Sequence, residues 1–253
     1  MMKKFILIAL LAVLPALCWG QGKVYTKKAR MEDFSQRTTK VVVSGESLLA
    51  LTLKEEMMSR WRISPFEFCT PEEYEKIKEN NNYFFLSLVV EEGVAFVSLT
   101  RGGKDSAEML HKPFEVVRIP FAADGASTGQ EFSFIGAIID VMQHFTEDAI
   151  VSDIIGYASL SSYSRPSLKG KTVFLNPKDA DKAMVDGTPD AVCGIIITPV
   201  SPGKKANCYR MLISADTHEL YDFQQLRYKE EKDRYFTENE AKGYEKRNGK
   251  VIR

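Results

Sequence analysis

The sequence predicts an α/β fold with an α+β mixed sheet, built as two tandem βαβα-plus-antiparallel-meander modules with helices packed on one sheet face. Three observations carry that expectation. The stretches "CTPEEYEKI" (69–77) and "LNPKDADKAM" (175–184) share one phrase: an apolar run, a capping residue, proline, and an acid two places on. The flanks of the two copies agree in the type of element they specify. The composition, 44% hydrophobic and 27% charged over 253 residues, excludes global disorder and suffices for one large domain or two small ones.

In the first copy Thr70 reads as a helix N-cap with Pro71 at the first helical position and Glu73 completing a capping box. The strand "SPFEFC" feeds it. Upstream, "TTKVVVSG" is a strand, followed by a helix whose Leu49, Leu53, Met57 and Trp61 fall four apart on one face. Downstream, Tyr83 to Val90 is a nearly continuous apolar strand, Glu92-Gly93 a hairpin turn, and Val94 to Thr100 the return strand.

The second copy repeats the order. Asn176 caps, Pro177 follows, and Asp179 places its charge at the positive end of the helix. The strand "KTVFLN" precedes it. Upstream, "FEVVRIPF" is a strand and Phe134, Ile138, Met142 and Phe145 stripe a long helix. Downstream come strands at 191–198, 208–214 and about 219–228, with Pro/Gly turn signals between the first two. An insertion at 146–170 begins as an extension of the long helix and ends Ser/Tyr-rich. The expected division is a signal peptide at 1–20, one module at 21–110, a second at 111–228 carrying that insertion, a joint near 102–113, and a charged tail at 229–253. In the tail Thr237 and Glu240 make another capping box. The competing reading is that βα units recur in any α/β protein and the shared phrase is coincidence.

The order strand, long helix, strand, short helix, then a meander ending in "YRMLISADTHELYDF" (209–223) resembles the small α/β modules of bacterial envelope proteins. Examples are the N-terminal domain of the Tol-system propeller protein and the curli-secretion lipoprotein. The resemblance implies envelope residence and partner binding, and it transfers no functional residue. The chain lacks the propeller repeats of the first and the lipobox of the second.

The N-terminus agrees with export. Lys3 and Lys4 precede an apolar run from Phe5 to about Leu17, then Cys18-Trp19-Gly20, with a cleavage position after about Gly20. A transmembrane anchor is the rival, but the run is shorter than the ~20 residues that span a bilayer. Lipidation at Cys18 is the other rival, and Leu17 occupies the place where that signal wants a small residue. The expected location is periplasmic or secreted, with no membrane span after cleavage. Cleavage removes Lys3 and Lys4 and no acid, leaving 32 basic and 34 acidic residues. Nothing in that balance attracts nucleic acid. Cys69, Cys193 and Cys208 remain, without metal-ligand spacing, so buried free thiols are expected; Cys193 with Cys208 is the pair to consider if a bridge exists.

Chemistry is sparsely marked. "GASTG" (125–129) satisfies G-x-S-x-G with Ser127 as nucleophile, and Asp190 and His218 follow in the order an α/β-hydrolase needs. Against that, "AAD" separates the strand from Gly125, and no oxyanion loop is visible. The same loop, ahead of a helix N-terminus, also suits a small anion. His111, His144 and His218 are far apart and specify no metal site, and no cofactor motif occurs. The sequence therefore points to a non-catalytic secreted or periplasmic binding or envelope-assembly module, whose partner is an envelope protein or a small anionic ligand. The alternative is a serine esterase centred on Ser127. Because ligands of α/β sheets sit outside the carboxyl ends of the strands, the loops at 44–47, 69–71, 122–130 and 175–178 are the expected edge, with Asp124, Ser127, Thr128 and Gln130 lining any site.

Overall fold

A computed structural model of the chain describes residues 27–103, 113–125, 129–152, 154–155, 160, 166–203 and 205–253. The expected signal peptide, most of the 102–113 joint and much of the 146–170 insertion lie outside the described residues. Among the described residues ten strands form two five-stranded mixed sheets with helices around them, so the α/β class and the two sheet modules are both present.

The first sheet comprises β1 (Thr38–Val42), β2 (Phe66–Cys69), β3 (Tyr83–Glu91), β4 (Val94–Arg101) and β5 (Phe114–Ala123), in the order β2-β1-β3-β4-β5. The first three run parallel and the last two close an antiparallel meander. Helix α1 (Lys27–Met31) precedes the sheet, α2 (Leu48–Arg60) joins β1 to β2, and α3 (Pro71–Ile77) joins β2 to β3. Ser47 caps α2, and Thr70 and Glu73 form the full capping box of α3. Glu92 and Gly93 both take positive φ (50° and 79°), the backbone that a two-residue hairpin between right-twisted strands requires.

The second sheet comprises β6 (Thr172–Phe174), β7 (Ala191–Ile197), β8 (Asn207–Ser214), β9 (Leu220–Arg227) and β10 (Lys250–Ile252), in the order β10-β6-β7-β8-β9. Its directions repeat those of the first: three parallel strands, then two antiparallel. Helix α4 (Gln130–Val151) comes between the sheets in sequence, α5 (Pro177–Val185) joins β6 to β7, and α6 (Glu238–Lys246) precedes β10. The shared phrase thus marks a strand-to-helix corner in each sheet, but at different positions: it follows the edge strand β2 in the first and the second strand, β6, in the second. In the first sheet the crossover passes over β1, whereas in the second it reaches the adjacent strand.

Four expectations change. The strand "FEVVRIPF" does not open the second module: β5 pairs with β4 and completes the first sheet. The tail is not merely a charged, capped helix outside the modules, because α6 buries Ala241 and Tyr244 and β10 supplies the outer parallel strand of the second sheet. The helices do not keep to one face. Leu53 and Met57 of α2 and Ala180, Ala183 and Met184 of α5 join the central core, but Tyr74 of α3 meets Phe85 on the other side of β3, and α6 covers the outer face of the second sheet. Nor are the two tandem modules packed apart from one another. One cluster runs from Phe34, Leu86 and Ile119 through Phe134 and Met142 to Ile195, Met211 and Phe223.

The long helix explains the shared core. In α4, 13 of 22 residues are buried, among them Ile135, Ile139 and Val141 off the expected stripe. A helix apolar on most of its circumference is a buried one. It packs on α1, α2, β5 and α5, while Phe96 of β4 meets Tyr209 of β8 edge-to-face. Cys69, Cys193 and Cys208 are buried and free. Cys193 pairs with Ile213 and Tyr209 with Ile197, so Cys193 and Cys208 lie toward opposite ends of the β7–β8 ladder.

Candidate functional site

At the carboxyl ends of β6, β7 and β10 a cavity of about 680 Å³ opens. Four segments wall it: Phe121–Ala123 at the end of β5, Leu175–Lys178 leading into α5, Gly194–Thr198 on β7, and Arg234–Glu238 leading into α6. Gln130, Asp181, Val200, Ala241 and Arg253 complete it.

Local sequence explains each wall. Asn176 leaves β6 in extended backbone and accepts from Lys178 N–H, turning the chain into α5. Thr237 and Glu240 cap α6 reciprocally, which holds the preceding Arg234–Phe236 segment beside the sheet. Gly194 lets the Phe236 ring lie directly on β7: a Cβ there would stand 2.7 Å from the ring. Gln130 Nε2 donates to Pro177 O at 3.4 Å, tying the start of α4 to the crossover loop.

The walls are largely aliphatic and aromatic, with a few charged side chains among them. Arg234 donates to the carbonyls of Pro199 (3.3 Å) and Val200 (3.2 Å), and Arg253 bridges Glu238 (3.2 Å) and Glu245 (2.8 Å). Lys178 is exposed. Asp181 carries one buried carboxylate oxygen with no hydrogen-bond partner among the described residues. Beside it, burial and the Asp181 charge push the Cys193 thiol up to about 12, so it stays protonated and unreactive near neutrality.

Of the expected lining residues, Gln130 faces this cavity; Asp124 is exposed in the loop after β5, its N–H bonded to Gly93 O, and Ser127 and Thr128 lie outside the described residues. The 122–130 and 175–178 loops do meet at one edge, whereas those at 44–47 and 69–71 belong to the first sheet. Arg234, Tyr235, Phe236 and Arg253 escaped the sequence reading. The Thr237/Glu240 capping box announced α6, but nothing local said that the segment before it or the last residue would wall a site.

The residues of the alternative triad part company. Asp190, at positive φ, pairs with Lys171 at 2.7 Å. His218 sits in the β8–β9 turn, and its Nδ1 lies 2.7 Å from Asp140 of α4. Asp140 also takes Arg60 of α2 at 2.8 Å, and Arg60 in turn pairs with Glu56. Gly136 gives this chain its room, since a Cβ there would meet the Glu56 and Arg60 side-chain ends. Of the other histidines, His144 is exposed and His111 lies outside the described residues. Among the described residues no group of three or more His, Cys, Asp or Glu side chains could hold a metal, and no helix is long and apolar enough to cross a membrane.

Burial works against ionisation of Asp140, but the His218 hydrogen bond and the Arg60 charge together hold its carboxyl below the usual carboxylate range. A depressed folded-state value means that its stabilisation is complete above the unfolded value, near 4, and is lost as pH falls through the folded one. Asp140→Asn should therefore cost about 1–3 kcal/mol at pH 7. Urea titrations of both proteins should show that gap shrinking as pH falls below about 4; a gap that does not change with pH in the acid range would mean the charge is not what holds the joint.

No family model matches the chain, and comparison with curated proteins and with solved structures returns no match.

Proposed function

We propose that the protein is a non-catalytic binding module, exported to the periplasm or beyond, and that the cavity at the carboxyl end of the second sheet receives its ligand or partner. One observation carries the reading: a largely apolar cavity of about 680 Å³ where three parallel strands end, lined by few charged groups, of which Asp181 has one buried carboxylate oxygen. Ligand sites in open α/β sheets form at this edge because helix N-termini and uncommitted backbone groups converge there. The export signal at 1–20 and the resemblance to envelope modules supply the expected compartment and the expectation of an envelope partner.

An amphipathic anionic dye, 8-anilinonaphthalene-1-sulfonate, has the size and polarity to probe the cavity. It should bind the folded chain saturably at about one site, and Ala123→Trp, which fills the β5 side, should weaken it about tenfold, or about 1.4 kcal/mol. Dye binding that does not saturate, or that ignores a well-folded Ala123→Trp variant, would remove the cavity from consideration.

A further inference from the structure

The ladder between β6 and β7 stops early. β6 pairs with β7 only over Thr172–Phe174 against Ala191–Cys193, whereas β8 follows β7 to its end, Ile197 opposite Tyr209. Gly194–Ile197 therefore have a strand on one side and, among the described residues, none on the other. All four line the cavity.

Parity identifies the free groups. The Ala191 carbonyl accepts from Ala215 N–H at 2.9 Å, so the backbone groups of Ala191, and in strand alternation those of Cys193, Ile195 and Ile197, point toward β8. The Asp190 carbonyl accepts from Thr172 N–H at 2.9 Å, so those of Val192, Gly194 and Ile196 point toward the β6 side. Beyond Phe174 no strand among the described residues continues the ladder past Gly194. The Gly194 carbonyl and the Ile196 N–H and carbonyl open into the cavity.

Among the described residues, the two neighbouring segments are committed elsewhere. Leu175 N–H donates to Ile252 O at 2.9 Å, and at Asn176 the chain turns away to cap α5. β10 ends at Ile252. What remains in line with β6 is a slot about 13 Å long, four residues at about 3.3 Å each. Ile195 and Ile197 belong to the inner core with Phe121, while Gly194 carries the Phe236 ring on the outer side. An occupant would thus be covered on both faces, like a central strand of a parallel sheet, which is apolar along its length.

We propose that this cavity is a strand-shaped slot: an extended apolar segment of a partner protein enters in line with β6 and completes the second sheet by pairing with Gly194–Ile197. The proposal deepens the reading of the cavity as the binding site and rests on it. Backbone hydrogen bonds to Gly194 and Ile196 supply a sequence-tolerant part of the recognition, and the walls select four consecutive residues of Val or Ile character. An unpaired edge of three consecutive isoleucines is otherwise an aggregation hazard. Recessed between the loop into α5 and the segment before α6, this one admits a single strand and excludes a whole sheet.

The test uses fluorescein-labelled eight-residue peptides carrying four consecutive Val or Ile residues between polar flanks, titrated into the chain from residue 21 by anisotropy. Saturable binding is expected. Backbone N-methylation at alternate peptide residues should weaken it about tenfold or more in one phase and little in the other, since only every second N–H of an added strand faces β7. Equal effects in both phases, or no binding by any peptide while the dye still binds, overturn strand addition but leave the cavity as a site. If neither dye nor peptide binds, both readings fall. A dimer that the peptides dissociate in sedimentation would assign the slot to a second copy of this chain and overturn the partner segment.

Discussion

Arg210→Ala is expected to lower the unfolding free energy by about 3–5 kcal/mol in urea titrations followed by circular dichroism. Arg210 stands on β8 with its side chain only 4% exposed, paired with Glu240 of α6, itself 14% exposed. The same guanidinium donates to the carbonyls of Asp233 (3.1 Å) and Tyr235 (3.2 Å). One cation thus pins Tyr235 within the segment that walls the cavity and Asp233 and Glu240 on either side of it. Its removal takes the counter-charge from the shielded Glu240 carboxylate, which keeps only its Thr237 donors, and one donor from each of the two carbonyls. The double variant Arg210→Met, Glu240→Gln removes both charges while keeping an acceptor for the Thr237 cap, and should recover most of the loss. Dye binding should fall with Arg210→Ala under conditions where the chain is still folded. If Arg210→Ala costs under about 1 kcal/mol, the C-terminal segment is held by its apolar contacts instead.

Phe134→Ala should cost about 3–5 kcal/mol and, more tellingly, should shift both sheets together. Phe134 is fully buried on α4, in the cluster that draws on both sheets. Trp61, buried at the end of α2, is the only tryptophan of a chain beginning at residue 21 and reports on the first sheet. Thiol labelling of Cys193 and Cys208 reports on the second, because both are buried. A shared core requires the tryptophan fluorescence and the thiol protection to be lost at one urea midpoint, lowered equally by Phe134→Ala. Two midpoints, only one of them displaced, would restore independent modules.

The contrast between what was legible and what was not follows the range of the forces. Thr70 with Glu73, Thr237 with Glu240, and Asn176 before Pro177 could be read because a cap is settled within about four residues. Glu92-Gly93 could be read because a two-residue hairpin needs positive φ there. The assignment of "FEVVRIPF" failed for an equally physical reason. Apolar patterning states how many faces of a strand are buried and is silent on which ladder the strand joins. β5 is buried on both faces and would have satisfied either sheet. β10 is three residues long, with no periodicity to read, and its strandhood comes entirely from pairing with β6.

The candidate site divides the same way. The sequence alone determined the α/β class, the two capped strand-to-helix corners and the order of elements, whereas Ala122, Ala123 and Gln130 meet the 175–178 loop only because β5 of the first sheet is packed beside the second. The tertiary structure alone decided that Asp140, not Asp190, meets His218, since the two come together across 78 residues through the packing of α4 on the β8–β9 turn. It also decided that the C-terminal residues wall the cavity and that β6 ends three residues into its ladder, leaving the edge of β7 open. Caps, turns and strand order are written in neighbouring residues. A cavity is the space left over when every long-range contact has been made, and no stretch of sequence encodes it by itself.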